Sequence, residues 1–147
     1  MSTTEALAAI RKTLTVDASL ETAFETFTER MGSWWPAGSH RIFEDGSSVV
    51  FEARVGGRVY ERSPDGQEGD WADVLVWEPP NRFVLRWRVN PKRGPTELEV
   101  RFSPVGGRTR VDLEHRGWDD AEGRANYDPG WDFVLGRFEA AFHSVSE

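Results

Sequence analysis

His115 is the residue of this 147-residue chain whose type and position best suit proton transfer or hydrogen bonding to a ligand. Val111 and Leu113 precede it at alternate positions, so a strand here would turn the imidazole toward the apolar side. An imidazole titrates near neutral pH, which suits it to hold or move a proton. A core histidine satisfied by one backbone hydrogen bond fits the same position, so both interpretations stay open.

Four acidic residues are candidate carboxylates for the same chemistry: Glu52, Glu61, Asp73 and Glu114. Glu114 is expected to face water, because its neighbours at alternate positions face inward. Asp73 lies in a segment that is apolar on both faces, so its direction stays open. If Asp73 points inward, burial would raise its pKa and make it a candidate base or ligand anchor. A solvated edge position is the more common situation for an aspartate.

Other catalytic patterns are missing from the sequence. Gly56-Gly57-Arg58 lacks the spacing and the Lys-Ser/Thr ending of a phosphate loop, and no serine lies in a nucleophile-elbow pattern. The chain has no cysteine, and His40, His115 and His143 are too scattered for a metal site. We therefore expect no metal, no cofactor and no catalytic constellation, while the question of enzyme activity stays open.

Tryptophan is abundant, with 7 in the chain, and Trp34 and Trp35 fall together on a predicted helix break before Pro36. Such a pair forms either a lid or a plug of the core. Ordinary packing explains any single tryptophan, but 7 are more than a core of this size needs. This excess favours a cavity lined by aromatic rings, with His115 as its polar anchor. The predicted lining residues are Trp34, Trp35, Phe51, Trp71, Trp87, His115 and Trp131.

Apolar and polar residues alternate along much of the chain and predict six or seven antiparallel strands. The first strand is predicted at Ile10–Val16, followed by a short helix from Leu20 to about Met31, and residues 40–116 are predicted to be β-structure. Val49–Arg54 and Arg58–Arg62 should form a hairpin. The outer face should carry a mixture of arginine and glutamate. The inner face is predicted to contain Phe83, Leu85, Trp87, Val89, Leu98, Val100, Phe102, Val111 and Leu113.

The last element is a predicted amphipathic helix over Trp131–Val145, opened by Asp128 as cap and Pro129 at its first position. The large aromatic residues on one face of this helix must pack against another element. A curved sheet with a cavity beneath the helix would bury them. The pattern predicts a two-layer α+β domain. The apolar side consists of Trp131, Val134, Leu135, Phe138, Ala141, Phe142 and Val145.

Several segments resemble the SRPBCC superfamily, and within it the branch named for the activator of the heat-shock-protein ATPase (AHSA-like). The resemblance extends from about Ile10 to Phe142. It implies an α+β helix-grip (START/Bet v-like) fold, in which a strongly bent antiparallel sheet wraps a long C-terminal helix around a cavity. It also implies one domain over residues 1–147, with its core at about 10–145. The segments are Trp34-Trp35-Pro36, Phe51–Glu61, Trp77–Arg82, Trp87, Val111–His115 and Tyr127–Trp131.

The bulk composition limits the partners. A net charge of -7 argues against nucleic acid and anionic membranes, which require a surplus of basic side chains. No apolar run approaches the roughly 20 residues of a membrane span. The N-terminal residues lack the basic and apolar regions of a secretory signal, so a cytoplasmic location is expected. A monomer and a homodimer both stay open.

Three functions follow from these expectations. The resemblance implies binding of a hydrophobic small molecule, such as a lipid or a polyketide-like aromatic compound, and this is the first hypothesis. The second is an enzyme, such as a cyclase or hydrolase, that uses His115 or Asp73 as acid or base. The third is a chaperone-interaction module with a role in the stress response, which the branch name suggests.

Overall fold

The structure, a computed structural model, describes residues 8–36, 47–88, 95–119 and 121–142. Within these residues seven strands form one antiparallel sheet in the order β1-β7-β6-β5-β4-β3-β2. The sheet curls into a half-barrel that holds the C-terminal helix, which confirms the helix-grip α+β fold. The elements are β1 (Ile10–Val16), α1 (Leu20–Phe27), β2 (Ser48–Phe51), β3 (Arg58–Arg62), β4 (Glu68–Glu78), β5 (Arg82–Trp87), β6 (Thr96–Val105), β7 (Arg108–Arg116) and α2 (Ala121–Ala140).

The register of the sheet confirms the predicted inner face. Leu98 on β6 lies between Leu85 on β5 and His115 on β7, so these residues form one row across the sheet. A second row, next to the first, contains Val100 on β6, which pairs with Phe83 on β5. All of these side chains are buried, whereas Arg86 and Arg101 are exposed on the opposite face. Side-chain alternation along each strand therefore determines which residues reach the core.

Glu99 lies on the outer face, as predicted, but it is buried rather than solvated. One of its carboxylate oxygens accepts hydrogen bonds from Arg82 Nε and Arg101 Nε, each at 2.6 Å, and the other from Arg116 Nη1 at 2.7 Å. Three guanidinium groups therefore cover the carboxylate and exclude water from it. Sequence alternation predicts a direction of the side chain, and the neighbouring strands determine its exposure.

The helix α1 is shorter than predicted. Ser19 caps its start, where Oγ accepts a hydrogen bond from the Thr22 amide at 3.2 Å. The helix ends at Phe27, and the hydroxyl of Thr28 then donates to the carbonyl of Phe24 at 2.8 Å. Met31 is still buried, but it belongs to a separate 3-10 helix over Met31–Ser33. Trp34 and Trp35 directly follow this short helix, and both are buried in the core.

The predicted start of the C-terminal helix was wrong. The helix α2 begins at Ala121, so Pro129 lies inside it rather than at its first position. Asp128 also lies inside the helix and is therefore not its cap, and its carboxylate accepts a hydrogen bond from Lys12 Nζ of β1 at 2.6 Å. Asp132 lies 3.0 Å from the same ammonium group. Lys12, which interrupts the apolar pattern of β1, thus ties that strand to α2.

The buried side of α2 was predicted correctly in its centre. Trp131, Val134, Leu135 and Phe138 are buried, but the helix ends at Ala140 and Ala141 is exposed. The predicted helix therefore extended too far at its C-terminal end. Four residues named in the predictions, namely His40, Val89, His143 and Val145, lie outside the described residues.

Candidate functional site

Five aromatic side chains meet on the inner face of the sheet beneath α2, and we call them the aromatic cluster: Trp35, Trp71, Trp87, His115 and Trp131. The centroid of the Trp35 ring lies 4.9 Å from that of Trp71 and 5.9 Å from that of Trp131. Trp87 lies 6.0 Å from both Trp71 and Trp131. All five side chains are buried. The cluster brings together residues from the two ends and the middle of the chain.

Each ring of the aromatic cluster comes from a different element. Trp71 lies on β4, Trp87 on β5 and His115 on β7, so the curled sheet presents these three from one side. Trp131 reaches the cluster from α2, whereas Trp35 follows the 3-10 helix. The site therefore exists only when the sheet, the helix and the segment after α1 are assembled.

Two of the predicted lining residues lie elsewhere. Trp34 packs against Phe27 and Phe138 with ring centroids at 5.2 and 5.0 Å, and it adjoins the cluster only through Trp35 at 5.7 Å. Phe51 packs 5.6 Å from Phe83, outside the aromatic cluster. Five of the seven predicted residues thus form the cluster, in which each ring contacts at least two others, and Trp34 and Phe51 lie outside it.

Both nitrogens of His115 are engaged by protein groups. The indole Nε1 of Trp131 lies 3.0 Å from Nδ1, and the hydroxyl of Thr96 lies 2.7 Å from Nε2. An indole N–H only donates, so Nδ1 accepts and Nε2 of the neutral ring carries the proton. Burial lowers the pKa of His115 to about 3. At neutral pH the ring is an uncharged hydrogen-bonding group, which fits the structural interpretation better than acid–base catalysis.

Glu61 is the carboxylate that the fold places beside the aromatic cluster. Its side chain is fully buried on the inner face of β3, and Oε1 accepts a hydrogen bond from Trp71 Nε1 at 3.2 Å. The pairing of β3 with β4 shifts between Val59 and Tyr60, and Trp71 is the extra residue of this bulge. Bulges are frequent next to functional sites, where they redirect a side chain. This bulge directs an indole N–H at a buried acid.

A profile of the family described as activator of Hsp90 ATPase homolog 1-like protein matches residues 17–143. The chain belongs to this family. The resemblance of the sequence to the AHSA-like branch of the SRPBCC superfamily is therefore confirmed. No curated protein sequence matches the chain significantly.

Solved structures include other proteins similar to this AHSA1-like chain. CalU16 from Micromonospora echinospora is 21% identical over 91% of this chain and 74% of its own, with a TM-score of 0.67. The Aha1 dimer from Colwellia psychrerythraea is 17% identical over 92% of this chain and 96% of its own, with a TM-score of 0.70. The anthrahydroquino-gamma-pyrone synthase Txn09, solved as a complex, is 38% identical over 78% of this chain and 79% of its own, with a TM-score of 0.54.

Asp73 and Glu52, two other candidate carboxylates of this AHSA1-like protein, form hydrogen bonds that stabilise the fold. Asp73 is bound by Arg88 through two hydrogen bonds of 2.7 and 2.9 Å, and these bonds lower the pKa of Asp73. This pairing excludes the inward-facing base of raised pKa considered for Asp73. Glu52 accepts a hydrogen bond from the backbone N–H of Arg58 at 2.8 Å, next to the β2–β3 turn.

Two aromatic residues at the edge of the site were missed from the sequence. The hydroxyl of Tyr127 accepts a hydrogen bond from Trp87 Nε1 at 2.9 Å. Trp118 packs its ring 4.3 Å from that of His115 and donates its N–H to the His115 carbonyl at 2.8 Å. Tyr127 is four residues before Trp131, so extending the predicted helix backward would have placed both on one face.

A separate cleft of about 450 Å³ lies between α1 and the turn that joins β4 to β5. Phe24 and Trp77 line it together with Pro79 and Pro80.

Among the described residues there is no group of three potential ligands that could hold a metal ion. The same residues contain no helix long and apolar enough to cross a membrane.

Proposed function

We propose that this protein binds a planar, fused-ring aromatic small molecule at the aromatic cluster. The observation that carries the proposal is the convergence of four indole rings on one buried face, with the buried carboxyl group of Glu61 beside them. Ligand sites combine an apolar, aromatic lining with a few polar groups that orient the ligand. Indole faces also stack favourably on other aromatic rings.

The positions of three indoles are determined by their N–H groups. Trp71 donates to Glu61, Trp87 to Tyr127 and Trp131 to His115. Hydrogen bonding of this kind prevents free rotation of the rings, so their faces are preorganised. A preorganised site spends less free energy on ordering side chains when a ligand binds.

A relative supports the class of ligand. Txn09 is 38% identical to this chain, and its name identifies it as a synthase of an anthrahydroquino-gamma-pyrone. A compound of that name contains fused aromatic rings. We infer that this protein takes a ligand of related shape.

Entry of a ligand requires one ring to move, because the rings already touch. Trp35 is the ring that we expect to move. Trp71, Trp87 and Trp131 belong to regular strands or to α2, whereas Trp35 follows the short 3-10 helix. Its displacement would open the cluster from the side of Met31–Ser33 without breaking a strand pair.

The experiment is a calorimetric titration with 2-naphthol, a water-soluble fused-ring probe. We expect saturable one-to-one binding that weakens at least about tenfold in Trp87→Phe and Trp131→Phe. Trp77→Phe is the matched control, because Trp77 lines the separate cleft near α1. Absence of binding, or weakening confined to Trp77→Phe, would contradict the proposed site.

Catalysis on such a compound is the second candidate function. The buried carboxyl group of Glu61 favours it, because a carboxyl group beside a bound ring could exchange a proton with it. The sequence similarity to a synthase points the same way. Glu61 thereby replaces Asp73 and His115 as the acid–base candidate. Conversion of a polyphenolic substrate that persists in Glu61→Gln would exclude this role.

A chaperone-interaction function is less well supported. It would require a contiguous apolar patch on the surface. The large exposed apolar residues of the described chain are dispersed over the β2–β3 turn, β4, β6 and α2: Val55, Leu75, Val105 and Phe133.

A further inference from the structure

We propose that the cleft between α1 and the β4–β5 turn is a second binding site, and that its ligand is a small quaternary ammonium ion. The cleft has a volume of about 450 Å³. A quaternary ammonium ion combines a positive charge with apolar methyl groups, and the lining of the cleft offers a partner to each. The cleft shares no residue with the aromatic cluster, so binding here does not depend on the proposed function.

The apolar part of the lining is built around the Trp77 ring. The centroid of this ring lies 5.1 Å from that of Phe24 and 5.7 Å from that of Phe51, so the core determines its position. The side chain is only partly buried, which leaves part of the indole accessible at the cleft. An indole attracts a cation more strongly than the other aromatic rings do. The apolar lining residues are Phe24, Ala53, Trp77, Pro79 and Pro80.

The charged part of the lining is acidic throughout. Among the described residues it consists of Glu21, Glu25 and Glu29, without a lysine or arginine. In the same part of the chain neither Glu21 nor Glu29 forms an ion pair. Glu25 lies 3.9 Å from Arg30, and both side chains are more than half exposed. No close basic partner therefore neutralises the cleft, and its negative potential favours a cation.

The positions of these acids are unfavourable for α1 itself. Glu21 and Glu25 are four residues apart on the helix, and like charges at this spacing repel each other. Glu29 follows the C-terminal end of the helix, where the helix dipole is negative and the last turn has no basic residue. A cation in the cleft would relieve both repulsions. The helix thus adds to the charge complementarity between the cleft and the proposed ligand.

Other cations suit this lining less well. The described residues contain no group of three His, Cys, Asp or Glu that could hold a metal ion. A primary ammonium group is strongly hydrated and would lose that water against the apolar walls. The methyl groups of a quaternary ion contact the indole and the proline rings without such a loss. A choline phospholipid carries a phosphate next to its ammonium group, and the glutamates would repel it, so the ligand is a free cation.

The test uses three probes on the wild-type protein: choline, its neutral isostere 3,3-dimethylbutan-1-ol, and phosphocholine. Calorimetry should show choline binding at least about tenfold more tightly than the neutral alcohol. Phosphocholine should bind more weakly than choline, because its phosphate meets the three glutamates. The NMR signal of the Trp77 indole N–H locates the site, and Trp77→Phe identifies it among the 7 indole signals. Choline should shift this signal in a saturable manner.

Two variants test the two parts of the lining. In Trp77→Leu the affinity for choline should fall at least about tenfold, because the ring that faces the cation is lost. In Glu21→Gln it should fall about threefold while the affinity for the neutral alcohol is unchanged. Glu97→Gln is the matched control, since it removes an exposed glutamate outside the cleft and should keep the wild-type affinity.

The outcomes separate this site from the aromatic cluster. Equal affinity for choline and the neutral alcohol would overturn the recognition of a cation. Tighter binding of phosphocholine than of choline would assign the cleft to a zwitterionic headgroup and overturn the choice of a free cation. Choline that does not bind, or that binds without shifting the Trp77 signal, would overturn the site. Each of these results is obtained on the wild type, and none of them affects the binding of 2-naphthol at the aromatic cluster.

Discussion

The indole Nε1 of Trp131 lies 3.0 Å from Nδ1 of His115, and this hydrogen bond joins α2 to β7, the strand next to the edge strand β1. It also determines the tautomer, because the nitrogen that accepts from an indole cannot carry the proton of a neutral ring. The Nε2 proton is therefore directed at Thr96, 2.7 Å away. One contact thus orients the imidazole and positions the first buried aromatic residue of the helix.

Trp131→Phe should reduce the free energy of unfolding by about 1–3 kcal/mol or more, because it leaves a buried acceptor without its donor. Loss of part of the indole adds to the effect. Urea denaturation measures the change, with Trp77→Phe as a control in which the half-buried ring is truncated away from His115. Equal losses in the two variants would show that the hydrogen bond contributes little.

The stability should fall as the pH is lowered below 6.5, because His115 titrates only in the unfolded chain. Burial lowers its pKa from 6.5 to about 3, so between these values the unfolded chain binds a proton that the folded chain does not. Above pH 6.5 the protonation of His115 does not reduce the free energy of unfolding. Below pH 6.5 it reduces that free energy by up to about 1.4 kcal/mol per pH unit. In His115→Gln this dependence should disappear between pH 6.5 and 4.5, as measured by urea denaturation at several pH values. An unchanged slope would mean that His115 is charged in the folded protein.

Glu99→Gln should destabilise the protein by about 1.5–3 kcal/mol through weakened hydrogen bonds to charged groups. Burial raises the pKa of Glu99, but hydrogen bonds from Arg82, Arg116 and Arg101 outweigh it and lower the pKa from 4.5 to about 2. The stabilisation by the charged form is therefore present above pH 4.5 and is lost as the pH falls toward 2. Wild type and Glu99→Gln should converge in thermal denaturation over that range.

Glu97→Gln is the matched control for this carboxylate. Glu97 lies on the same strand, its side chain is 48% exposed, and its effect should stay within about 0.5 kcal/mol. If Glu97→Gln destabilises the protein as much as Glu99→Gln does, burial is not what makes the Glu99 cluster important.

Phe138→Ala should cost about 3–5 kcal/mol of stability, because it removes a fully buried ring. The ring lies 4.8 Å from Phe27 and 5.0 Å from Trp34, so the cavity would open between α2 and α1. Phe133→Ala, on the same helix but 54% exposed, should cost about 1 kcal/mol or less. Thermal and urea denaturation of both variants provide the comparison, and equal losses would contradict the packing of α2.

The sheet and the buried face of α2 were predictable because their patterns are local. Alternation placed Leu85, Leu98 and Val111 inward, and the structure confirms all three. The start of α2 was not predictable in the same way. Asp128 and Pro129 form a common start signal, but Lys12 on β1 binds the Asp128 carboxylate, and the helix continues back to Ala121.

The sequence by itself therefore determined the α+β fold, the inner face of the sheet and the aromatic character of the candidate site. Only the tertiary structure decided which rings meet and which acid is buried among them. Trp71 and Trp131 are far from Trp35 in the chain, and strand pairing and helix packing bring both into contact with it. Glu61 has the same local pattern as many solvated glutamates, and a bulge in the neighbouring strand gives it Trp71 as a partner. Period and propensity act over a few residues, whereas burial and partners depend on the whole assembled fold.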